Sequence, residues 1–107
     1  MIDLPTPISG YFMARRAFDV DAMLAPFDEN AIVQDEDVEY RGVAAIRAWI
    51  EETTRKYRAT AEPKDAKEIV GAIVVSALVS GNFPGSPILL DHVFALTGAK
   101  ISRLEIG

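Results

Sequence analysis

The stretch ILLDHVFAL, residues 88–96, places an aspartate beside the chain's only histidine in a segment that is otherwise apolar. Because neighbouring residues of a strand point to opposite faces, Asp91 and His92 lie on different faces, each among apolar side chains. A carboxylate withdrawn from water either finds partners or takes up a proton, and a protonated carboxyl can donate a hydrogen bond. An edge strand or hydrogen bonds to the backbone would equally explain Asp91, and packing against helices or at a subunit interface would explain His92.

The composition restricts the classes of partner. The 107 residues carry a formal net charge of -5, which argues against nucleic acids and anionic membranes, since both attract lysine and arginine. The chain has no cysteine and one histidine, so we expect no disulfide and no thiolate or imidazole metal site, while a carboxylate-only cation site stays open without a motif to support it. No nucleotide- or phosphate-binding motif occurs, so we expect no cofactor. No apolar run is long enough to span a membrane and the N-terminus does not resemble a secretory signal, so the cytoplasm is the default expectation.

Two helices are predicted before residue 30. Apolar and aromatic side chains recur at helical spacing over about residues 5–17, and Tyr11 falls among them. In FDVDAMLAPF, Asp19 is a good N-cap and Pro26 ends a short second helix. Six arginines are scattered along the chain and are interpreted as solvated or ion-paired; these six are at positions 15, 16, 47, 55, 58 and 103.

A strand and a third helix complete the first half of the chain. The segment NAIVQD alternates, with Asp35 on the same face as Ala31 and Val33, and therefore predicts a strand that ends in acids. RGVAAIRAWIEETTRKY then repeats apolar residues at helical spacing, at Val43, Ile46, Trp49 and Ile50.

The second half of the chain is strand-rich. Four segments rich in β-branched residues are separated by turn sequences; they are TAEPKDAKEI, AIVVSALVS, ILLDHVFAL and KISRLEI. The sequence therefore predicts one α+β domain spanning residues 1–107, in which about three N-terminal helices pack on a curved, mostly antiparallel sheet.

The order of these elements resembles the nuclear transport factor 2-like superfamily, cone-shaped α+β domains that include SnoaL-like proteins and the ketosteroid isomerases. The resemblance covers essentially the whole chain and is strongest in YFMARRAFDVDAMLAPFDENAIVQD and DHVFALTGAKISRLEIG. It implies an enzyme that moves a proton next to a carbonyl group, as an isomerase, cyclase or dehydratase, and the isomerase template assigns the roles. Tyr11 falls on the catalytic tyrosine, Asp35 on the general base, and Asp91 on the protonated acid that donates to the oxyanion.

The resemblance also implies a pocket for a small apolar carbonyl compound and a homodimer. Its candidate lining residues are Phe12, Val33, Trp49, Ile50, Leu89 and Val93, and the face with His92 and Phe94 is a candidate two-fold interface. Three departures argue against a steroid substrate: Ile50 stands where the isomerases have a second pocket tyrosine, the chain stops at RLEIG, and two further acids follow Asp35 directly. Asp35 is also explained as a turn residue, Tyr11 as core filling, and the domain as a non-catalytic binder of an apolar ligand.

Overall fold

The computed structural model describes residues 2–107 and begins with helix α1, Thr6–Arg16. Proline precedes the first turn, where its missing N–H costs nothing, and Arg15 and Arg16 occupy the last turn. The predicted helix over about 5–17 is therefore confirmed. Its buried side chains recur every three or four residues and turn one face of α1 to the core.

The short helix α2, Val20–Leu24, begins as predicted. Asp19 is the N-cap, and its carboxylate accepts a hydrogen bond of 3.1 Å from the backbone N–H of Ala22. The helix ends two residues before Pro26. Strand β1, Phe27–Asp35, follows directly and is three residues longer at its start than NAIVQD.

Strand β2, Val38–Arg41, was not predicted from the sequence. It pairs antiparallel with β1 through a two-residue turn, Glu36 and Asp37, whose φ angles are 53° and 64°. Positive φ at both turn residues is typical of the tight hairpins that match strand twist. The acidic turn carries no glycine or asparagine, and the four-residue strand is mostly exposed at the edge of the sheet. For these two reasons the segment shows neither the turn residues nor the apolar alternation that predict a strand.

Helix α3, Gly42–Tyr57, lies across the inner face of the sheet. Ile46, Trp49 and Ile50 are buried, whereas Val43 in the first turn is 38% exposed. No helix within residues 2–107 is long and apolar enough to cross a membrane.

A meander of four strands completes the sheet: β3 (Thr60–Ile69), β4 (Ala72–Ser80), β5 (Ile88–Thr97) and β6 (Lys100–Ile106). The spatial order is β2-β1-β6-β5-β4-β3, with β1 and β6 parallel and every other neighbouring pair antiparallel. The three helices pack against this mostly antiparallel sheet, so the predicted α+β class is confirmed.

The face of β5 that carries His92 and Phe94 is turned inward. His92 is 3% exposed and Phe94 is fully buried, and both aromatic rings contact Phe12 of α1. The expectation that this face forms a two-fold interface is wrong, because the chain's own helix already covers it.

Candidate functional site

A cavity of about 570 Å³ opens between helices α1 and α3, the inner face of the sheet and the loop before β5. Its volume is in the range of small-molecule sites. Most of its wall is apolar, formed by Trp49, Tyr57, Ala59, Ala61, Val79, Phe83, Pro84, Leu90 and Ile106, with Gly107 beside them. The side chains that bring polar groups to it include Tyr11, Arg15, Asp35, Glu36, Thr53 and His92.

Tyr11 and Arg15 form a pair of hydrogen-bond donors on α1. Both side chains are buried, with exposed fractions of 1% and 5%, and they lie one helical turn apart. Nη2 of Arg15 donates a hydrogen bond of 3.0 Å to the hydroxyl oxygen of Tyr11. Because that oxygen already accepts a charged donor, the hydroxyl proton of Tyr11 is left for another acceptor and is polarised by the guanidinium.

The carboxylate of Asp35 is held at the end of β1 by the indole of Trp49. Nε1 of Trp49 donates a hydrogen bond of 3.0 Å to Oδ2 of Asp35. Trp49 is in turn packed between two side chains: its ring lies 6.2 Å from that of Tyr40, and the guanidinium carbon of Arg15 lies 5.6 Å from its centroid. One carboxylate oxygen of Asp35 therefore has a fixed partner, and the group lines the cavity in a defined orientation.

The end of the cavity near β1 is electrically negative. Asp35 and Glu36 both line it, and the pKa of the nearby Tyr40 hydroxyl is raised by partial burial and by the negative charges of Asp35, Glu36 and Glu52. No group of three metal-ligating side chains occurs within residues 2–107.

His92 reaches the cavity as a neutral imidazole. Its Nδ1 lies 3.2 Å from the carbonyl oxygen of Leu90, and since a carbonyl only accepts, Nδ1 carries the proton and Nε2 has the free lone pair. Burial lowers the pKa of His92 to about 4, and the positive charge of Arg15 acts in the same direction. His92 thus presents an acceptor to the cavity at neutral pH.

Asp91 lies on the opposite side of the sheet from the cavity. Its side chain is exposed, and its backbone exchanges two hydrogen bonds of 3.0 Å with Gly107. The strand alternation inferred from the sequence holds, but the covered face is the one with His92. Asp91 is therefore not brought together with Tyr11 and Asp35, and the expected apolar burial of its carboxylate does not occur.

The predicted lining residues lie in three different places: the cavity wall, the packed core and the outer face of β5. Trp49 lies in the cavity wall. Phe12, Val33 and Ile50 are buried in the packed core, while Leu89 and Val93 lie on the outer face of β5, with Leu89 58% exposed.

Arg15 is the functional candidate that sequence reasoning misassigned. Its charge predicts a solvated or ion-paired side chain, yet Arg15 is buried in the cavity wall. The signal was its spacing, because Arg15 falls seven residues after Ile8 and four after Tyr11, on the apolar stripe of α1. Two aromatic cavity residues, Tyr57 and Phe83, were also missed; their rings meet edge to face at 6.0 Å.

Comparison with solved structures gives the family. A candidate polyketide cyclase from Sinorhizobium meliloti is 37% identical, with a TM-score of 0.93 over 98% of this chain and 96% of its own. The chain belongs to the nuclear transport factor 2-like superfamily. No protein-family model matches the chain, and no curated protein matches it.

Two solved structures of lower sequence identity share the fold. A protein with a ketosteroid isomerase-like fold from Catenulispora acidiphila has a TM-score of 0.84 at 14% identity, over 98% of this chain and 86% of its own. SalBIII, an epoxide hydrolase/cyclase-like enzyme of pyran ring formation in salinomycin, has a TM-score of 0.82 at 24% identity, over 94% and 86% of the two chains. The SnoaL-like and ketosteroid isomerase-like resemblance seen in the sequence is confirmed as a family relationship.

Proposed function

We propose that this protein is a small-molecule enzyme that moves a proton next to a carbonyl group, with Asp35 as the general base and Tyr11 as the donor to the developing oxyanion. One observation carries the proposal: the Asp35 carboxylate and the Tyr11 hydroxyl line the same apolar cavity, and each is fixed by a hydrogen bond. A positioned base and a positioned donor are what enolate formation requires.

The reaction begins at the carbon beside the carbonyl. Asp35 takes its proton, the electron pair of the broken C–H bond forms the enolate double bond, and the carbonyl oxygen gains the negative charge that Tyr11 stabilises. Return of the proton to another carbon completes an isomerisation. Attack of the enolate carbon on a second carbonyl of the same molecule, with the proton held by Asp35 passing to the new alkoxide oxygen, completes a cyclisation. Departure of a β-hydroxyl group as water, after it takes that proton, completes a dehydration.

The proposal omits the oxyanion role that the sequence suggested for Asp91, since that carboxylate faces away from the cavity. Tyr11 remains as the oxyanion donor, and the positive charge of Arg15 supports it through the hydrogen bond of 3.0 Å. The relative described as a candidate polyketide cyclase supports carbonyl compounds as the substrate class.

The test is the rate of double-bond migration in a simple β,γ-unsaturated ketone. We expect Asp35→Asn to lower the rate by about a hundredfold or more, because the amide cannot accept the proton. Asp91→Asn is the matched control: it makes the same chemical change on the outer face and should leave the rate unchanged. Equal rates for the wild type and Asp35→Asn would exclude Asp35 as the base.

Ligand binding without chemistry is a second candidate, favoured by the apolar character of most of the cavity wall. In that case the polar groups only orient the ligand. A wild-type protein that binds the ketone but turns over no carbonyl substrate would support this candidate over the first.

A further inference from the structure

We infer that the natural ligand of this cavity carries a carboxylate, which is bound by the guanidinium of Arg15. The inference rests on the proposed function in one respect, that the cavity is the substrate site, and it adds the substrate class: an apolar carbonyl compound with an acid group at one end.

The charge of Arg15 is buried without a counter-charge. The side chain is 5% exposed, and Arg15 takes part in none of the ion pairs formed among residues 2–107, all of which lie at the surface. A buried cation is costly unless it is paired and hydrogen-bonded. Its aromatic neighbours, with centroids 5.5 Å (Tyr11) and 5.6 Å (Trp49) from the guanidinium carbon, compensate only in part.

The guanidinium also has unused donors. Arginine carries five N–H groups, and the hydrogen bond to Tyr11 is the one that its side chain makes within residues 2–107. Thr54 Oγ1 is the one side-chain polar atom of the described chain that is sealed from solvent without a partner. The remaining nitrogens of Arg15 are therefore open to the cavity that Arg15 lines. Their planar fork matches the two oxygens of a carboxylate.

The negative groups of the cavity orient such a ligand. Asp35 and Glu36 lie at the β1 end, and neither is within salt-bridge distance of Arg15. Trp49 contacts Arg15 through its ring face and Asp35 through Nε1, so the two charged groups border the same indole without forming an ion pair. A bound carboxylate is attracted to Arg15 and repelled from Asp35, which leaves the apolar body of the ligand beside the base.

A ligand carboxylate accounts for the buried positive charge of Arg15 better than the enolate alone does. The enolate exists only during turnover, whereas Arg15 is charged at every stage, since its guanidinium does not lose its proton in proteins. A permanent anion in the ligand pairs with a permanent cation in the site. Arg15 is buried in the cavity wall, where it faces any ligand directly.

Binding is measured with two ligands of the same shape, 4-cyclohexylbutanoate and its neutral amide, 4-cyclohexylbutanamide. Trp49 is the chain's only tryptophan and lies in the cavity wall, so its fluorescence reports occupancy. Neither ligand absorbs where tryptophan is excited. We expect the wild type to bind the carboxylate about tenfold more tightly than the amide or better, as charge-assisted pairing predicts.

Three variants assign that preference to Arg15. Arg15→Met keeps an unbranched side chain without charge and should abolish the preference; Arg15→Lys should retain part of it. Arg16→Met is the matched control, because Arg16 is the neighbouring arginine and is exposed. Equal affinity of the wild type for the two ligands would overturn the inference, even if Arg15→Met failed to fold. So would a preference that persists in a folded Arg15→Met protein, or no response to either ligand.

The isomerase assay separates this inference from the proposed function. A carboxylate preference that depends on Arg15, in a protein without activity on carbonyl compounds, would support the anion site and reject the catalysis. Turnover of a neutral ketone that depends on Asp35, with no carboxylate preference, would do the reverse.

Discussion

Trp49 donates its indole N–H to the carboxylate of Asp35 at 3.0 Å, so a residue in the middle of α3 fixes the last side chain of β1. A hydrogen bond to a charged group contributes roughly 1.5–3 kcal/mol of stabilisation. Without it the carboxylate of Asp35 loses its fixed position, and a base that is out of position removes a proton more slowly. We therefore expect Trp49→Phe to lower kcat for β,γ-unsaturated ketone isomerisation about tenfold or more, with a smaller effect on KM.

Tyr40→Phe is the control for this prediction. The Tyr40 ring packs beside Trp49 at 6.2 Å, and the substitution removes a hydroxyl while keeping that packing. It should leave kcat near the wild-type value. A Trp49→Phe protein with unchanged kcat would show that the hydrogen bond does not position the base.

His92 makes stability fall as the pH is lowered. Its pKa is lowered by burial from 6.5 to about 4, so between these values the unfolded chain binds a proton that the folded protein does not. Stability rises with pH wherever the unfolded state binds more protons. The contribution of His92 is therefore complete above pH 6.5 and is lost as the pH falls toward 4, by roughly 3 kcal/mol in total.

Urea unfolding from pH 7 to pH 4 tests this contribution. Since the carboxylates titrate in both proteins, the relevant quantity is the difference between the wild type and His92→Gln. The free energy of unfolding of the wild type should decline more steeply with falling pH. Parallel curves would mean that His92 titrates alike in both states.

Asp37 occupies a backbone conformation that suits glycine better. Its φ of 64° lies in the left-handed region, which costs an L-residue about 1–2 kcal/mol and less for aspartate. Asp37→Gly should raise the free energy of unfolding by about 0.5–1 kcal/mol and leave the strand register intact. Chemical denaturation measures the change, and a loss of stability would indicate that the Asp37 carboxylate stabilises the turn.

Gly81 allows the loop before β5 to pass close to the end of α3. A Cβ at this position would lie 2.7 Å from the carbonyl oxygen of Tyr57 and 3.1 Å from Cα of Ala59, and both are backbone atoms. Gly81→Ala should therefore cost about 1–3 kcal/mol of stability and displace Phe83 at the cavity wall. In contrast, Gly10→Ala in α1 has its nearest atom at 3.9 Å and should stabilise the protein slightly. Equal thermal midpoints for the two variants would contradict this account.

The sequence was sufficient for most elements because their signals are local. Helix caps, alternation and turn residues predicted α1, α2, α3 and the four strands of the meander. For example, Asp19 was predicted to be the N-cap of α2, and its carboxylate accepts the capping hydrogen bond from Ala22. Strand β2 lacks such a signal, since its polar edge residues are held by pairing with β1 and not by their own apolar pattern.

The site was only partly predictable because it depends on which face of β5 is covered. Alternation separates Asp91 from His92 but cannot say which of them meets α1, and a slip of one position moves every side chain to the other face. Tyr11, Asp35 and Trp49 were named from the sequence and lie in the cavity. The charge of Arg15 predicts a solvated side chain, whereas its position on the apolar stripe of α1 places it in the cavity wall.

The two ends of the cavity have a stereochemical consequence. Arg15 and Tyr11 lie on α1, while Asp35 approaches from β1. A ligand anchored at one end and flanked by the base at the other presents a single side of its enolate plane to Asp35. The proton is then removed from and returned to that side, so the product should form as one enantiomer, and deuterium from heavy water should enter at one diastereotopic position.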